Sequence, residues 1–313
     1  MVKNISVLGA GTMGHGIANV FAMNGYKVNL YEKYESVRNS AMEKIKDELK
    51  FMVSENYIPE SQISDTLSNI TLFSDLAEAV QDADYLIEAT PEILELKQNL
   101  FKELDELCPK KTIFASNTSS LPLKDIMALM SDERKTRTMI CHWYNPAHLL
   151  PITELSYFGN MDDELFNEVY ELYCNLGKKP VKVLKDIPGL IANRMLHALA
   201  REVFTLIEIG AASPEDIDKA LKFGPGFRSA TTGMLEVADM GGLDIWCTVE
   251  DGLFKELNNS DKASNMLRSK VKEGKLGLKT GEGFYKYSDD VKSKVQTEFY
   301  KRLIIQLKAS SNY

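Results

Sequence analysis

The run from Ile5 to Glu32 constrains this chain more than any other stretch. A short apolar segment, Ile5-Ser6-Val7-Leu8, leads into Gly9-Ala10-Gly11-Thr12-Met13-Gly14. Apolar residues then recur at helical spacing through Ile17, Ala18, Val20 and Phe21 until Asn24-Gly25, and Lys27-Val28-Asn29-Leu30-Tyr31 forms a second strand that closes on Glu32. Strand, glycine turn, helix, strand and acid in that order form a βαβ unit whose turn suits a dinucleotide. Gly9 permits the tight turn, Gly11 lets the backbone approach a pyrophosphate, and Gly14 lets the helix pack close to the strand, with the helix N-terminus facing the negative charge. Glu32 lies 18 residues after Gly14, near the spacing of an acid that binds ribose hydroxyls. A carboxylate there repels a 2′-phosphate, so NAD is expected in preference to NADP. Without its context the glycine run reads as a structural turn, and Glu32 as a solvated strand-end charge.

Further strands are expected at Ile70-Leu72, Tyr85-Glu88, Ile113-Ser116, Thr138-His142 and Val181-Leu184, with helical stretches between most of them. Residues 36–67 read as one or two polar helices inserted before the third strand. This alternation predicts an α/β fold with a Rossmann-type, doubly wound, mainly parallel sheet. After Asp186-Ile187-Pro188-Gly189 the pattern turns wholly helical: Ala192, Met195, Leu196, Leu199, Val203, Leu206 and Ile207 lie at helical spacing. Ser213 and Pro214 start another helix as N-cap and first-turn residue. Two domains are therefore expected, residues 1–186 and 187–313, and 313 residues suffice for two cores.

The net charge of −8 argues against a nucleic-acid partner, although local basic residues can still line a pocket for an anion. Four scattered cysteines without a CxxC pair predict reduced thiols and no metal site. With no signal-peptide pattern and no apolar run near ~18 residues, a soluble, cytoplasmic protein without membrane partners is expected.

The residues able to move a proton cluster at Cys141-His142-Trp143-Tyr144-Asn145-Pro146, with Glu154 downstream. His142 ends a strand at the edge where such sheets bind ligands, Ser116-Asn117-Thr118-Ser119-Ser120 ends the preceding strand, and Glu154 is placed to orient the imidazole as the acid does in a triad. Asn193-Arg194 opens the second domain's first helix, where it is able to close over a cleft.

These pieces, with Glu92 and Lys97, Pro188-Gly189 and Lys279-Thr280-Gly281-Glu282-Gly283-Phe284-Tyr285, resemble the L-3-hydroxyacyl-CoA dehydrogenase family nearly end to end. The resemblance implies an NAD-dependent, reversible oxidation of the 3-hydroxyl of a short-chain L-3-hydroxyacyl-CoA, within fatty acid metabolism. His142 is implied as general base with Glu154 as its partner, Ser119 and Asn193 as binders of the substrate oxygen, and Glu92, Lys97, Asn145 and Lys279 as cofactor contacts. It also implies a homodimer. Taken without it, Glu92 and Lys97 read as a surface helix pair and Asn193 as a helix cap.

Several segments depart from the family pattern. Trp143 and Tyr144 stand where two Phe are usual, and Gly226 to Gly233 lacks the usual Pro-Met-Gly-Pro. Leu149-Leu150-Pro151 resembles relatives acting on free 3-hydroxy acids, such as the gulonate and carnitine dehydrogenases. In the inserted helix, Lys44, Lys46 and Lys50 read equally as a CoA clamp or a solvated face, and Phe51-Met52-Val53-Ser54-Glu55 follows where a lysine-rich end is expected. A dehydrogenase of a free 3-hydroxy acid is thus the first alternative, and a non-catalytic NAD-binding or structural protein the second.

Overall fold

In the computed structural model, which describes residues 2–313, the chain divides into two compact units, Met1–Ile191 and Ala192–Tyr313. The first is built on one eight-stranded sheet: β1 (Asn4–Leu8), β2 (Lys27–Tyr31), β3 (Ile70–Phe73), β4 (Tyr85–Glu88), β5 (Ile113–Ser116), β6 (Thr138–Trp143), β7 (Ile152–Ser156) and β8 (Lys179–Val183). Their spatial order is β3-β2-β1-β4-β5-β6-β7-β8. Neighbours are parallel except β6 and β7, which run antiparallel. The order reverses between β1 and β4, and their C-terminal ends form the crevice where open α/β sheets take ligands.

Helices α1 (Gly14–Met23), α2 (Glu35–Ser54), α3 (Ser61–Ser68), α4 (Leu76–Val80), α5 (Leu94–Leu107), α6 (Leu123–Ile126), α7 (Asp132–Lys135) and α8 (Asp163–Asn175) complete this unit. The insertion is therefore two helices. In α2, Ala41, Ile45, Leu49 and Met52 are buried at spacings of one helical turn, and that stripe joins Phe21, Ile17 and Val20 of α1 in the core.

Two-residue alternation sorts the strand side chains onto the two faces. Ile5, Val7, Tyr85, Ile87, Ala115, Met139, Cys141 and Trp143 enter one cluster with α1, α2 and α8. Leu8, Leu86, Phe114 and Ile140 enter the other, with Phe101 and Leu104 of α5 and Ile126 of α6. Trp143 consequently points into the core at 2% exposure. Its Nε1 donates to the Tyr173 hydroxyl at 3.1 Å, its ring lies 5.9 Å from Phe21, and the Lys178 ammonium sits 4.8 Å from its centroid. His142, one residue earlier, belongs to the opposite face.

Two expectations need correction. Strand β7 was not expected, because Thr153, Glu154 and Ser156 are all buried and a strand covered on both faces shows no polar/apolar alternation. β8 begins at Lys179 and ends at Val183, not Leu184, whose side chain is 66% exposed. The first compact unit extends to Ile191, where Leu190 is buried in the second cluster and the Ile191 amide donates to Glu154 Oε1 at 2.8 Å.

The second unit contains α9 (Ala192–Glu208), α10 (Pro214–Phe223), α11 (Pro225–Ser229), α12 (Met234–Gly241), α13 (Leu243–Leu253), α14 (Asn265–Lys272) and α15 (Asp289–Ala309). It is helical apart from two isolated bridges, Gly277 to Glu282 and Glu282 to Lys286. Ser213 caps α10, accepting from the Asp216 amide, with Pro214 in the first turn. On α9, Met195, Leu196 and Leu199 are 63, 56 and 44% exposed, an apolar row without cover within the unit.

Trp143 locks the end of β6 in the core one residue from His142. Trp143→Ala is expected to cost about 3–5 kcal/mol, read as a lowered urea midpoint for the first unit; an unchanged midpoint would contradict this packing.

Candidate active site

Gly9 follows β1 with φ +93°, a region only glycine occupies readily, and a Cβ there would stand 2.9 Å from the Ala89 carbonyl oxygen. A Cβ on Gly14 would lie 1.6 Å from the Gly9 oxygen, so the start of α1 abuts the turn. A Cβ on Gly11 would meet nothing within 4 Å; there the backbone faces open space, as a turn that receives a phosphate must. A groove of about 830 Å³ opens beside it, lined by Gly9, Gly11, Glu32, Tyr34, Glu92, Asn117 and Ser119 among others. Glu32 reaches across the turn: Oε2 accepts from the Ala10 amide and Oε1 from the Tyr34 amide, both at 3.1 Å. This holds a carboxylate at the end of β2, where a ribose hydroxyl would find an acceptor. The groove therefore fits a dinucleotide with a free 2′-hydroxyl.

The turn is braced by residues that sequence reasoning passed over. His15, in the first turn of α1, contacts the Gly11 oxygen through Nδ1 at 2.6 Å and Glu48 Oε1 of α2 through Nε2 at 3.0 Å. Burial pulls the His15 pKa down, but the bond to Glu48 and its charge outweigh this and leave it raised. Asn19 donates to the other Glu48 oxygen at 3.1 Å, and that oxygen lies 3.4 Å from His148 Nδ1 in the loop after β6. A helix of the insertion thus supports both the turn and the loop beyond His142. A His one residue after Gly14 was the only signal available.

Glu92 sits at the groove edge with its side chain 35% exposed. Oε1 accepts from Thr118 Oγ1 (2.6 Å), Ser120 Oγ (2.9 Å) and the amides of Ser119 and Ser120 (both 3.1 Å). Partial burial raises its pKa, yet these donors and Lys97 outweigh that and lower it. Glu92 thereby fixes the Ser119 loop.

Lys97, expected at the cofactor, is instead 1% exposed and absent from the groove lining. Its ammonium lies 2.6 Å from Glu88 Oε1 and 3.4 Å from Glu92 Oε2. Glu88, fully buried, also accepts from the Thr90 amide and hydroxyl and from Ser116 Oγ. The reason is the spacing: Lys97 lies on the inner face of α5, one helical turn from Phe101, so its cation neutralises a carboxylate that ends β4. Glu88 was read only as a strand residue, and nothing in a four-residue apolar run marks its partner.

His142 and Glu154 meet across β6 and β7. Their register sets His142 directly opposite Glu154, so both side chains stand on one face. His142 Nδ1 lies 2.9 Å from Glu154 Oε2. His142 is 6% exposed and Glu154 is fully buried. The Tyr144 hydroxyl donates to the same Oε2 at 2.8 Å, and its ring lies 4.6 Å from the imidazole. Asn117 Oδ1 accepts from the Trp143 amide at 2.8 Å, tying the end of β5 to the end of β6. With Nδ1 bonded to a carboxylate, the neutral ring carries its acceptor at Nε2, the arrangement needed to take a proton.

The structure thus brings His142 and Glu154 into contact and gathers Gly9, Gly11, Glu32, Glu92 and Ser119 around one groove. Asn145 is exposed beyond β6 and does not line that groove. Asn193, in the first turn of α9, and Lys279, in the short turn Leu278–Thr280, belong to the second unit.

A family model described as the NAD binding domain of 3-hydroxyacyl-CoA dehydrogenase matches residues 4–187, and one for its C-terminal domain matches residues 189–287. The chain belongs to the 3-hydroxyacyl-CoA dehydrogenase family. It is accordingly an NAD-dependent oxidoreductase. It is 36% identical over 295 residues to the mitochondrial hydroxyacyl-coenzyme A dehydrogenase of Rattus norvegicus, covering 92% of each chain. It is 33% identical over 307 residues to the 5-formyl-3-hydroxy-2-methylpyridine 4-carboxylate 5-dehydrogenase of Mesorhizobium japonicum, covering 97% of each. Among solved structures, an enzyme of that pyridine-carboxylate activity, described as an NAD+ dependent dismutase, superposes with a TM-score of 0.88 at 31% identity over 97% of each chain. The (S)-3-hydroxybutyryl-CoA dehydrogenase of Ralstonia eutropha gives 0.74 at 30% identity, over 92% of this chain and 100% of that one. Among the described residues no helix is long and apolar enough to cross a membrane, and no group of three or more potential ligands could hold a metal ion.

Because Gly14 touches the Gly9 oxygen, Gly14→Ala must push the turn away from α1. Overpacking of about 1–3 kcal/mol is expected to weaken NADH binding roughly tenfold or more, measured by fluorescence titration; wild-type affinity in this variant would overturn the packing argument.

Proposed function

We propose that this dehydrogenase oxidises the 3-hydroxyl of a short-chain L-3-hydroxyacyl-CoA to the 3-oxo compound, reversibly. The observation that carries the reading is the buried Glu154 held 2.9 Å from His142 Nδ1, at the strand end beside a dinucleotide groove. Nε2 of His142 takes the proton of the substrate hydroxyl, and Glu154 stabilises the imidazolium that results. Ser119 and Asn193 bind the substrate oxygen. Gly9, Gly11, Gly14, Glu32, Glu92, Asn145 and Lys279 hold the cofactor, while Lys97 acts through Glu88 and Glu92. Bound NAD supplies the hydride acceptor.

A second reading, a small free hydroxy or formyl acid as substrate, is favoured by two observations. The charges of α2 cancel: Arg38, Lys44, Lys46 and Lys50 are matched in number by Glu35, Glu43, Asp47 and Glu48, and Lys50 pairs with Asp47 at 3.7 Å. That is a poor clamp for CoA phosphates. The fold also superposes better on the pyridine-carboxylate enzyme than on the hydroxybutyryl-CoA enzyme.

Turnover of L-3-hydroxybutyryl-CoA, L-3-hydroxybutyrate and 5-formyl-3-hydroxy-2-methylpyridine 4-carboxylate with NAD separates the readings; negligible rates with the CoA ester beside rapid turnover of a free acid would sink the first. In either case His142→Ala is expected to lower kcat by about 10²–10⁴-fold. Full activity in that variant would leave only an NAD-binding protein without this chemistry.

The apolar row of Met195, Leu196 and Leu199 on α9 supports a homodimer, and four free cysteines suit a cytoplasmic, reducing compartment. Light scattering after size exclusion is expected to give twice the chain mass, and Leu196→Glu to shift it towards the monomer; a monomeric wild type at micromolar concentration would reject the dimer.

A further inference from the structure

Two donors share one oxygen of Glu154. His142 Nδ1 lies 2.9 Å from Oε2 and the Tyr144 hydroxyl 2.8 Å from it, while Oε1 accepts the Ile191 amide at 2.8 Å. The cause is the two-residue period of an extended chain: Tyr144 follows His142 by two positions, so it returns to the same face, whereas Trp143 turns into the core. The two rings meet edge to face at 4.6 Å, and the carboxylate between them is fully buried.

We propose that Tyr144 is a positioning residue for the base. Resting on the reading of His142 given above, its hydroxyl competes with the imidazole for Glu154 Oε2 and limits how tightly the carboxylate holds the imidazole proton. It also fixes the carboxylate in plane, so that Nε2 stays aimed at the substrate. A carboxylate stabilised by a second donor attracts an adjacent imidazolium less strongly, because part of its charge is already neutralised.

Charged groups on the neighbouring strands and helices have partners of their own. Glu88, on β4, is paired with Lys97 of α5 at 2.6 Å. On β8, the Lys182 ammonium lies 4.9 Å from the ring centroids of Tyr157 and Phe166, and Asp186 beyond it accepts the Leu123 amide at 2.9 Å. On the opposite face Lys178 donates to the Ala147 and Leu150 carbonyls at 2.6 and 2.8 Å.

Tyr144→Phe deletes only the hydroxyl and keeps the ring against the imidazole. Two measurements test it. In proton NMR of the full chain, the His142 ring signals, assigned by their loss in His142→Ala, are expected to titrate at higher pH in the variant than in the wild type. In steady-state oxidation of L-3-hydroxybutyryl-CoA, or of the free acid that the wild type turns over, kcat/KM should fall roughly three- to tenfold near about pH 6 and recover towards wild type in alkaline buffer, as the loss of one hydrogen bond to a charged group would give. KM for NAD should not move. An unchanged titration, or a loss of kcat that is equal at every pH, would overturn the proposal and leave Tyr144 a packing residue. The NMR arm needs no substrate, so a failure of the proposed reaction and a failure of this inference give different results.

Discussion

The antiparallel pairing of β6 with β7 is the constraint on which the site depends. Five neighbouring pairs from β3 to β6 run parallel, and a parallel neighbour for β6 would need a crossover of a dozen residues or more. The chain instead reverses through Tyr144 to Pro151, and the register brings His142 opposite Glu154. Cross-strand neighbours in such a pair stand close enough for their side chains to bond. A slip of one residue would send the carboxylate to the far face and the imidazole would lose its partner. The register is held from the other side by Trp143, whose ring is buried among Phe21 and Tyr173. Core packing on one face therefore sets the His142–Glu154 geometry on the other.

The same economy governs the buried charges. Glu88, Lys97 and Glu92 form a chain from the end of β4 through α5 to the loop that carries Ser119. His15 and Glu48 brace the glycine turn from α2. None of these charges is left unpaired, which matters because an uncompensated buried charge costs several kcal/mol. Their directionality holds the loops that line the groove without filling it. This division separates residues that would meet the cofactor, such as Glu32, from residues that hold the first group in place, such as Lys97.

Membership of the 3-hydroxyacyl-CoA dehydrogenase family accounts for the cofactor groove. The substrate's handle is a separate matter, because it would be recognised by surfaces that vary without disturbing the sheet. The balanced charges of α2 and the hydroxyl of Tyr144 are two such local changes. One alters what an anionic handle would meet, and the other alters the environment of the base.

By itself the sequence determined the nucleotide-binding half and offered His142 as the candidate base. Glycines at fixed spacing, a strand-end acid and helical periodicity are local properties, and local sterics and hydrogen bonding specify them wherever they occur. Glu154, the Ser116–Ser120 run and Asn193 were legible as candidates beside His142, and the family resemblance implied their roles. Tertiary structure alone decided how β7 is placed, since Ile152–Ser156 carries buried polar residues and shows no alternation to read. It also decided that Lys97 neutralises Glu88 instead of meeting the groove, and that Tyr144 bonds to Glu154. Each of these depends on which residues distant in sequence share one low-dielectric space, where an unpaired charge or hydroxyl is costly and a partner must be found.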